Sequence, residues 1–529
     1  MLVLLLQACG AESEVDDGVM DGADTVADGA MNMDADAADA AGETGDAAEA
    51  NDAVGASDTN DANDANDAEI AVDTDDAEGA DVPDEPGVAM IDEVLDCGTN
   101  GTVGGLAATD SVAALERHAL DTTRFADALC NDGSAAVVYI RPASRAEDVN
   151  RWVIELMGGG GCNTMEACSN RWCSVGTNFS RTQMTSLTSP ERTRGTGILV
   201  GVEEGEVYPN PWAGWNHVLV KYCSSDTWRG TARDVVISAP HPRTSEPVQF
   251  RMHFLGRRIL EATIATLRAD GVAPLTWGRD GVAMPDLDNA TEVVFAGASA
   301  GGGGVTFNLD WLAAELASHN PGVFVSGLID STFGPDLTGL DFSNSVYCTT
   351  RGLCSAEAFL GSGREAQDTL WRAVPEESCD AAHGASGELW RCASDTFVML
   401  QHLTTPFFVR QGLSDGLISE VYVEGGVRRE GVPIDLRAFG GLVREHLREF
   451  ATLPETALEG DSMTVAPGGF GPACSKHETL RSNPDTFEVT ISPAAGEALT
   501  MFEVWQRWRD GGEPSIVVTN TADDTRCAD

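Results

Sequence analysis

Residues 291–308 read TEVVFAGASAGGGGVTFN, and the prediction of the fold starts from this segment. A short apolar run, 293–296, leads into Gly297-Ala298-Ser299-Ala300-Gly301, and further glycines open a segment that can be helical. G-x-S-x-G between a strand and a helix is typical of a tight turn that exposes a serine hydroxyl at the end of a sheet. Because Gly, Ala and Ser are common in this chain, the motif alone also fits a glycine-rich turn that only allows close packing.

Further apolar runs flank this turn on both sides in the sequence. They are continuous rather than alternating, as in strands that are buried on both faces. Strands are predicted at 135–140, 152–156, 217–222, 292–295, 323–329 and 406–410. Helices are predicted at 249–268, 304–318, 436–450 and 498–507. The alternation predicts one α/β domain with a mostly parallel central sheet and flanking helices, with Ser299 at the carboxyl ends of the strands.

The N-terminal part of the chain has a different composition. Residues 1–116 contain no Lys and no Arg, and 26 acidic residues lie between 11 and 90 among Ala, Gly, Asn and Thr. Such a segment has too little apolar surface to offset the entropy of folding, so residues 10–91 are predicted to form a disordered acidic linker. A spacer is favoured over an acidic binding tail. The remainder is also acidic, which argues against a nucleic-acid partner.

The first residues, MLVLLLQACG, resemble a bacterial lipoprotein signal that ends at Cys9. Residues 1–9 are therefore predicted to direct lipidation of Cys9, the alternative being an apolar terminus without function. No other run reaches the length of a membrane-spanning helix. We expect a protein of the bacterial cell envelope that is attached to a membrane only through its lipid, with the outer membrane as first choice. The alternative is a secreted protein.

Twelve cysteines remain after Cys9. An even number in an exported chain indicates a disulfide framework. The alternative is a zinc site, but paired C-x2-C units with histidine are missing from the 162–173 region. We therefore expect disulfides, no bound metal and no cofactor.

A serine nucleophile needs a base, an orienting carboxylate and donors for an oxyanion, and the hydrolase chain order puts acid and base after the serine. His477 follows a Pro/Gly-rich loop and competes with four other later histidines, at 319, 383, 402 and 446. Asp415 follows the strand 406–410, where an ordinary turn aspartate is the alternative. Donors are expected from Ala300 and from the glycine loop 158–161.

Together these segments resemble the pectin acetylesterase/Notum family of carboxylesterases, in order over about residues 95–480. Residues 156–164 are similar to its L-E-G-G-G-W-C-N, 221–228 to Y-C-S-S-D-x-W, 297–302 to G-[SC]-S-A-G-G, and 474–477 to C-x-x-H. Asp330-Ser331 resembles its D-S-G, and 411–415 lies where the family has its acid. The resemblance implies an α/β-hydrolase-like domain over 92–529 with a triad and oxyanion donors, namely Ser299, His477, Asp415, Gly159, Gly160 and Ala300.

Three positions depart from the family pattern: Met157 replaces Glu, Gly161 stands in a stretch where the family has Trp, and Thr332 replaces Gly. They leave the triad intact but border the expected acyl pocket. The expected activity is hydrolysis of acyl esters through an acyl-enzyme, with O-acetyl groups of a polysaccharide as first choice. A fatty-acyl esterase and an inactive, tethered binding protein are the alternatives.

Overall fold

The computed structural model describes residues 88–519, apart from 99–104, 177–180, 203–207, 269–272, 454–455, 458–463 and 493–496. Cys9 and the predicted linker lie outside the described residues, except for 88–91. Within those, Ala89–Met90 pairs in parallel with residues 250–251. No helix in the described part of the chain has the length and apolarity needed to cross a membrane.

A ten-stranded sheet forms the centre of the fold. Its strands are numbered here in chain order: β1 Leu115–Ala119, β2 Val137–Arg141, β3 Arg151–Leu156, β4 Arg192–Thr193, β5 Asn216–Val220, β6 Glu292–Ala298, β7 Phe324–Asp330, β8 Phe407–Arg410, β9 Gly468–Gly471 and β10 Ile516–Val518.

The spatial order of the sheet is β10-β9-β8-β7-β6-β3-β5-β2-β1-β4. Every pair from β10 to β5 is parallel, and β2, β1 and β4 extend the sheet in antiparallel fashion. The strand β6 lies near the middle and is buried along its whole length. The prediction of a mostly parallel sheet is confirmed, and parallel order explains why β6 reads as a continuous apolar run.

Helices connect and cover the strands. They are α1 Ile91–Val94, α2 Met165–Trp172, α3 Gly256–Leu267, α4 Ala300–His319, α5 Val346–Arg351, α6 Ala356–Ala366, α7 Glu377–His383, α8 Asp395–Gln401, α9 Gly416–Glu420, α10 Leu436–Glu449, α11 Asn483–Phe487 and α12 Met501–Arg509. The long helix α4 begins directly after β6 and packs on β6 and β7.

The helix predicted at 249–268 is wrong in its N-terminal part. Residues 247–254 form a strand that pairs antiparallel with Ala232–Pro240, and only Gly256–Leu267 is helical. The side chains of Phe250, Met252 and Phe254 alternate with polar residues and enter one apolar cluster. This two-residue period is that of a strand, and the apolar helix that follows obscured it.

The predicted disulfide framework is confirmed. Bonds join Cys97 to Cys173, Cys130 to Cys223, Cys162 to Cys168, Cys348 to Cys354 and Cys379 to Cys392. Cys474, near the predicted base, is also disulfide-bonded.

Candidate active site

Ser299 lies in the turn between β6 and α4, and its backbone φ of 56° and ψ of −124° fall outside the ordinary regions for a serine. The turn is too tight for side chains: a Cβ on Gly297 would lie 2.3 Å from the Gly301 carbonyl oxygen, and one on Gly301 would lie 2.0 Å from that of Leu156. Glycine is therefore required at both positions. A serine held in strained backbone at a strand-to-helix turn is the arrangement of a nucleophile elbow.

His477 and Asp415 come together from segments 62 residues apart. The Nδ1 of His477 lies 3.0 Å from both carboxylate oxygens of Asp415. Asp415 is fully buried and caps α9, where its Oδ1 accepts from the N–H groups of Leu417 and Ile418. Gln411 donates to its other oxygen over 3.3 Å. These donors hold the carboxylate in one position, from which it can orient the imidazole.

Electrostatics favour proton uptake by His477. Burial lowers the pKa of this imidazole, but the charge of Asp415 and its hydrogen bond outweigh the burial, so the pKa lies above its ordinary value. The Nε2 atom, on the far side of the ring from Asp415, is buried without a hydrogen-bond partner among the described residues. The Oγ of Ser299 is also buried and does not hydrogen-bond to this Nε2; its side-chain neighbour is the carboxyl of Glu478. A hydrogen bond between a nucleophile and its base is often made only when substrate is bound.

Asp330, the last residue of β7, connects the serine turn with the histidine turn. Its backbone carbonyl accepts the N–H of Ser299 over 3.0 Å. Its carboxylate oxygen Oδ2 accepts from the N–H groups of Thr479 and Leu480 over 2.7 and 3.1 Å. The other oxygen, Oδ1, lies 3.3 Å from the guanidinium of Arg410. The sequence resemblance marked Asp330 without a role, and the structure identifies it as an anchor of the loop that carries His477.

The glycine loop after β3 contributes the candidate oxyanion donors Gly159 and Gly160. Both have positive φ, 141° and 60°. A Cβ on Gly159 would lie 2.7 Å from the side chain of Gln183, so this backbone has no room for a larger residue. Ala300 opens α4, and the first N–H groups of a helix have no acceptor inside the helix.

The segment 222–228 holds this loop in shape. The indole of Trp228 donates to the Met157 carbonyl over 3.1 Å. Arg171 donates to the carbonyl of Gly159 and to the hydroxyl of Ser225. The N–H of Cys162 donates to the Ser225 carbonyl. The two motifs therefore form one unit, in which the glycine loop lies on the 222–228 segment.

Glu478, directly after His477, was not singled out by the sequence. The residue is partly exposed, but its Oε1 atom is buried and has no hydrogen-bond partner within the criteria for a hydrogen bond among the described residues. Burial raises the pKa of its carboxyl, whereas His477, Arg481 and the Ser299 hydroxyl lower it by smaller amounts. An unassigned carboxyl therefore lies beside the predicted nucleophile.

One cluster of metal-ligand types lies away from this site. The ligand atoms of Cys379, His383 and His402 are within 4.8 Å of one another. The sulfur of Cys379 is bonded to Cys392 and offers no thiolate, so two imidazoles remain. Two ligands are fewer than the three or four of a protein zinc site.

Comparison with known proteins agrees with this geometry. The sequence model of one family, described as Pectinacetylesterase, matches residues 109–514. The chain belongs to the pectinacetylesterase family. Membership confirms the resemblance drawn from the motifs.

The chain is also similar to proteins named palmitoleoyl-protein carboxylesterase NOTUM. It is 27% identical to the Homo sapiens protein over 359 residues, which are 66% of this chain and 59% of that protein. It is 31% identical to the Drosophila melanogaster protein over 395 residues, 74% of this chain and 50% of that one. The chain thus spans about half to three fifths of the length of these relatives.

The fold has solved counterparts. The structure of the Wnt deacylase Notum from Drosophila aligns with a TM-score of 0.54 and 24% identity, over 77% of this chain and 97% of that one. This likeness confirms the α/β-hydrolase-like fold.

Proposed function

We propose that this protein is a serine carboxylesterase, and that it removes acyl groups from esters through a covalent acyl-enzyme. The observation that carries the proposal is the His477–Asp415 pair, bonded over 3.0 Å and tied through Asp330 to the strained turn that holds Ser299. Membership of the pectinacetylesterase family and relatives named carboxylesterases support the same class of reaction.

In the proposed first step, Nε2 of His477 takes the hydroxyl proton as Ser299 Oγ attacks the ester carbonyl carbon. Negative charge develops on the carbonyl oxygen, where the N–H groups of Gly159, Gly160 and Ala300 stabilise it. His477 then gives its proton to the departing alcohol. In the second step water attacks the acyl-serine, with His477 again as base, and the carboxylic acid leaves.

The proposed acyl group is acetate, carried as an O-acetyl group on a polysaccharide. The family description supports this choice. The relatives named palmitoleoyl-protein carboxylesterase favour a longer fatty-acyl group as the second candidate. A binding protein without activity is disfavoured because nucleophile, base, acid and glycine loop are all present in one chain.

The test is hydrolysis of 4-nitrophenyl acetate by the wild type and by Ser299→Ala. We expect the variant to lose roughly 10⁴- to 10⁶-fold in kcat. Ser326→Ala is the matched control, because Ser326 is also fully buried and its hydroxyl has no hydrogen-bond partner among the described residues, but it lies within β7. Equal rates for the wild type and Ser299→Ala would refute the proposed nucleophile.

The acyl chain length is tested with the same proteins and a series of aryl esters from acetate to palmitate. We expect the highest kcat/KM for acetate. A clear preference for the long chains would replace the acetyl assignment by the fatty-acyl one, without affecting the proposed mechanism.

We also propose that the protein acts outside the reducing cytoplasm. Five disulfides join the described residues, and such bonds persist mainly in oxidising compartments. Fractionation of the native host followed by thiol labelling tests this. Protein recovered in the cytoplasm with free thiols would contradict it.

A further inference from the structure

Glu478 is held by its backbone against the site. Its φ of 58° is unusual for a residue other than glycine, and its N–H donates to Ser331 Oγ over 3.0 Å. A Cβ built on Gly158 would lie 2.0 Å from Glu478 Oε1 and 2.6 Å from the carbonyl oxygen of Ala298. The carboxyl therefore fills the space between the start of the glycine loop and the residue before Ser299.

The charges around Glu478 come from several elements. Arg410 balances the charge of Asp330, whereas the partner of Asp415 is His477, which is neutral when it acts as base. Among the described residues, the guanidinium of Arg481 is the group that attracts both remaining carboxylates, those of Glu155 and Glu478. Its Nε lies 3.6 Å from Oε1 of Glu155, a fully buried residue of β3.

Charge balance then limits the ionisation of the two carboxyls. Neither oxygen of Glu155 has a hydrogen-bond partner among the described residues, and Glu478 Oε1 has none. Two carboxylates with oxygens shielded from water beside one guanidinium would leave a net negative charge at this site, which is unfavourable. Uptake of one proton by the pair removes that charge.

We propose that Glu155 and Glu478 share one proton in the active enzyme, so that Glu478 presents an uncharged carboxyl to Ser299. The inference rests on the proposed role of Ser299 as nucleophile. Both residues act as positioning residues, because they set the charge beside the reacting atoms while His477 moves the proton. An uncharged Glu478 leaves the developing negative charge of the ester oxygen without a like charge next to it.

The shared proton gives the activity an alkaline limit. The pKa of Glu155 is raised to about 7, because burial outweighs the lowering by Arg481 and the charge of Glu478 adds a smaller increase. Burial also raises the pKa of Glu478. As the pH rises, the pair releases its proton to solvent, a carboxylate forms beside Ser299, and kcat/KM falls.

The test is the pH dependence of kcat/KM for 4-nitrophenyl acetate, with the rate of Ser299→Ala subtracted at each pH. In Glu478→Gln no carboxylate can form, so we expect activity within about threefold of the wild type at neutral pH and an alkaline limb at least about one pH unit higher. In Glu155→Gln, Arg481 interacts with Glu478 alone, so Glu478 ionises at lower pH. The alkaline limb should therefore move to lower pH by a similar amount.

Glu292→Gln is the matched control. Glu292 is also a buried, ion-paired carboxylate, but it lies at the opposite end of β6 from Ser299. Its variant should keep the wild-type pH profile, whatever its thermal stability. Thermal unfolding of each variant confirms that it is folded during the assay.

Three results would overturn the inference. In the first, the alkaline limb is unchanged in Glu478→Gln. In the second, the alkaline limbs of Glu478→Gln and Glu155→Gln move in the same direction. In the third, folded Glu478→Gln loses more than tenfold in kcat/KM at every pH, which would mean that the ionised carboxylate is needed. Full activity in Ser299→Ala is a different result, since it would refute the proposed function itself.

Discussion

The backbone N–H of Ser299 donates a hydrogen bond to the carbonyl oxygen of Asp330 over 3.0 Å. The carboxylate of the same Asp330 accepts two N–H groups from the turn just after His477. One residue at the end of β7 therefore fixes the nucleophile turn with its main chain and the histidine turn with its side chain. These hydrogen bonds fix the positions of the two turns relative to each other. Small displacements of reacting groups lower the reaction rate strongly.

We expect Asp330→Asn to lower kcat by about 10- to 100-fold with little change in KM, because the histidine turn loosens while the substrate site remains. The variant also weakens a buried ion pair with Arg410, so its free energy of unfolding should fall by about 3 kcal/mol. Steady-state kinetics below the unfolding transition and chemical denaturation measure the two effects separately.

Asp341→Asn is the control for this change. Asp341 also accepts a backbone N–H in a turn, that of Ser343 over 2.8 Å, but its side chain is solvent-exposed and forms no part of the site. Its kcat should equal that of the wild type. An unchanged kcat in Asp330→Asn would show that the histidine turn does not depend on this carboxylate.

Asp415→Asn should change both the rate and its pH dependence. The amide cannot stabilise the imidazolium and can favour the wrong tautomer, so we expect a loss of about 10²- to 10⁴-fold in kcat. Asp415 raises the pKa of His477, and only the neutral imidazole can accept the serine proton. Wild-type activity should fall as the pH drops through that raised pKa, and the acid limb of the variant should lie at lower pH.

The pH–rate profile of kcat/KM between pH 4 and 8 measures this shift. An acid limb that stays in place would mean that a group other than His477 is the base. A limb that moves to higher pH would mean that Asp415 does not carry the charge that acts on the imidazole.

The central part of the fold follows from the sequence because its signals are local. Continuous apolar runs predict β3, β6 and β8 within a few residues, and the glycines around Ser299 predict the turn that joins β6 to α4. The strand Pro247–Phe254 was missed, since its two-residue period runs directly into α3. Gly256 stands at this junction, but a single glycine inside an apolar pattern is also tolerated within a helix, so it did not mark the boundary.

The sequence predicts those residues of the site that belong to recognisable motifs. Chain order placed the acid and the base after Ser299, the family resemblance selected Asp415 and His477, and the structure brings these two residues into contact. Glu478 and Glu155 could not be found in this way, because their importance depends on burial and on how few cations surround them. Those are properties of the packed chain, and an acidic sequence contains many carboxyls that no local pattern distinguishes.

Gly158→Ala tests the close packing of the glycine loop. The new methyl group would meet Glu478 Oε1 at 2.0 Å and the Ala298 carbonyl oxygen at 2.6 Å, so the loop must move. We expect at least a tenfold loss in kcat/KM. Gly441→Ala is the control: this glycine lies within α10 with open space around it, and alanine there should leave activity unchanged and raise stability by up to about 1 kcal/mol. Equal kinetics of the two variants would contradict the packing argument.

The disulfide between Cys162 and Cys168 closes the glycine loop onto α2. Its double alanine variant should lose about 2 kcal/mol of stability, because the bond spans six residues. The bond between Cys348 and Cys354 spans the same number of residues at the end of α5, so its double alanine variant should lose a similar amount. Only the first variant should also lose kcat, by about tenfold, because only the first bond holds the backbone that carries Gly159 and Gly160. Denaturation curves and steady-state kinetics on both variants decide this, and equal kcat values would mean that the hydrogen bonds from the 222–228 segment are sufficient to hold the loop.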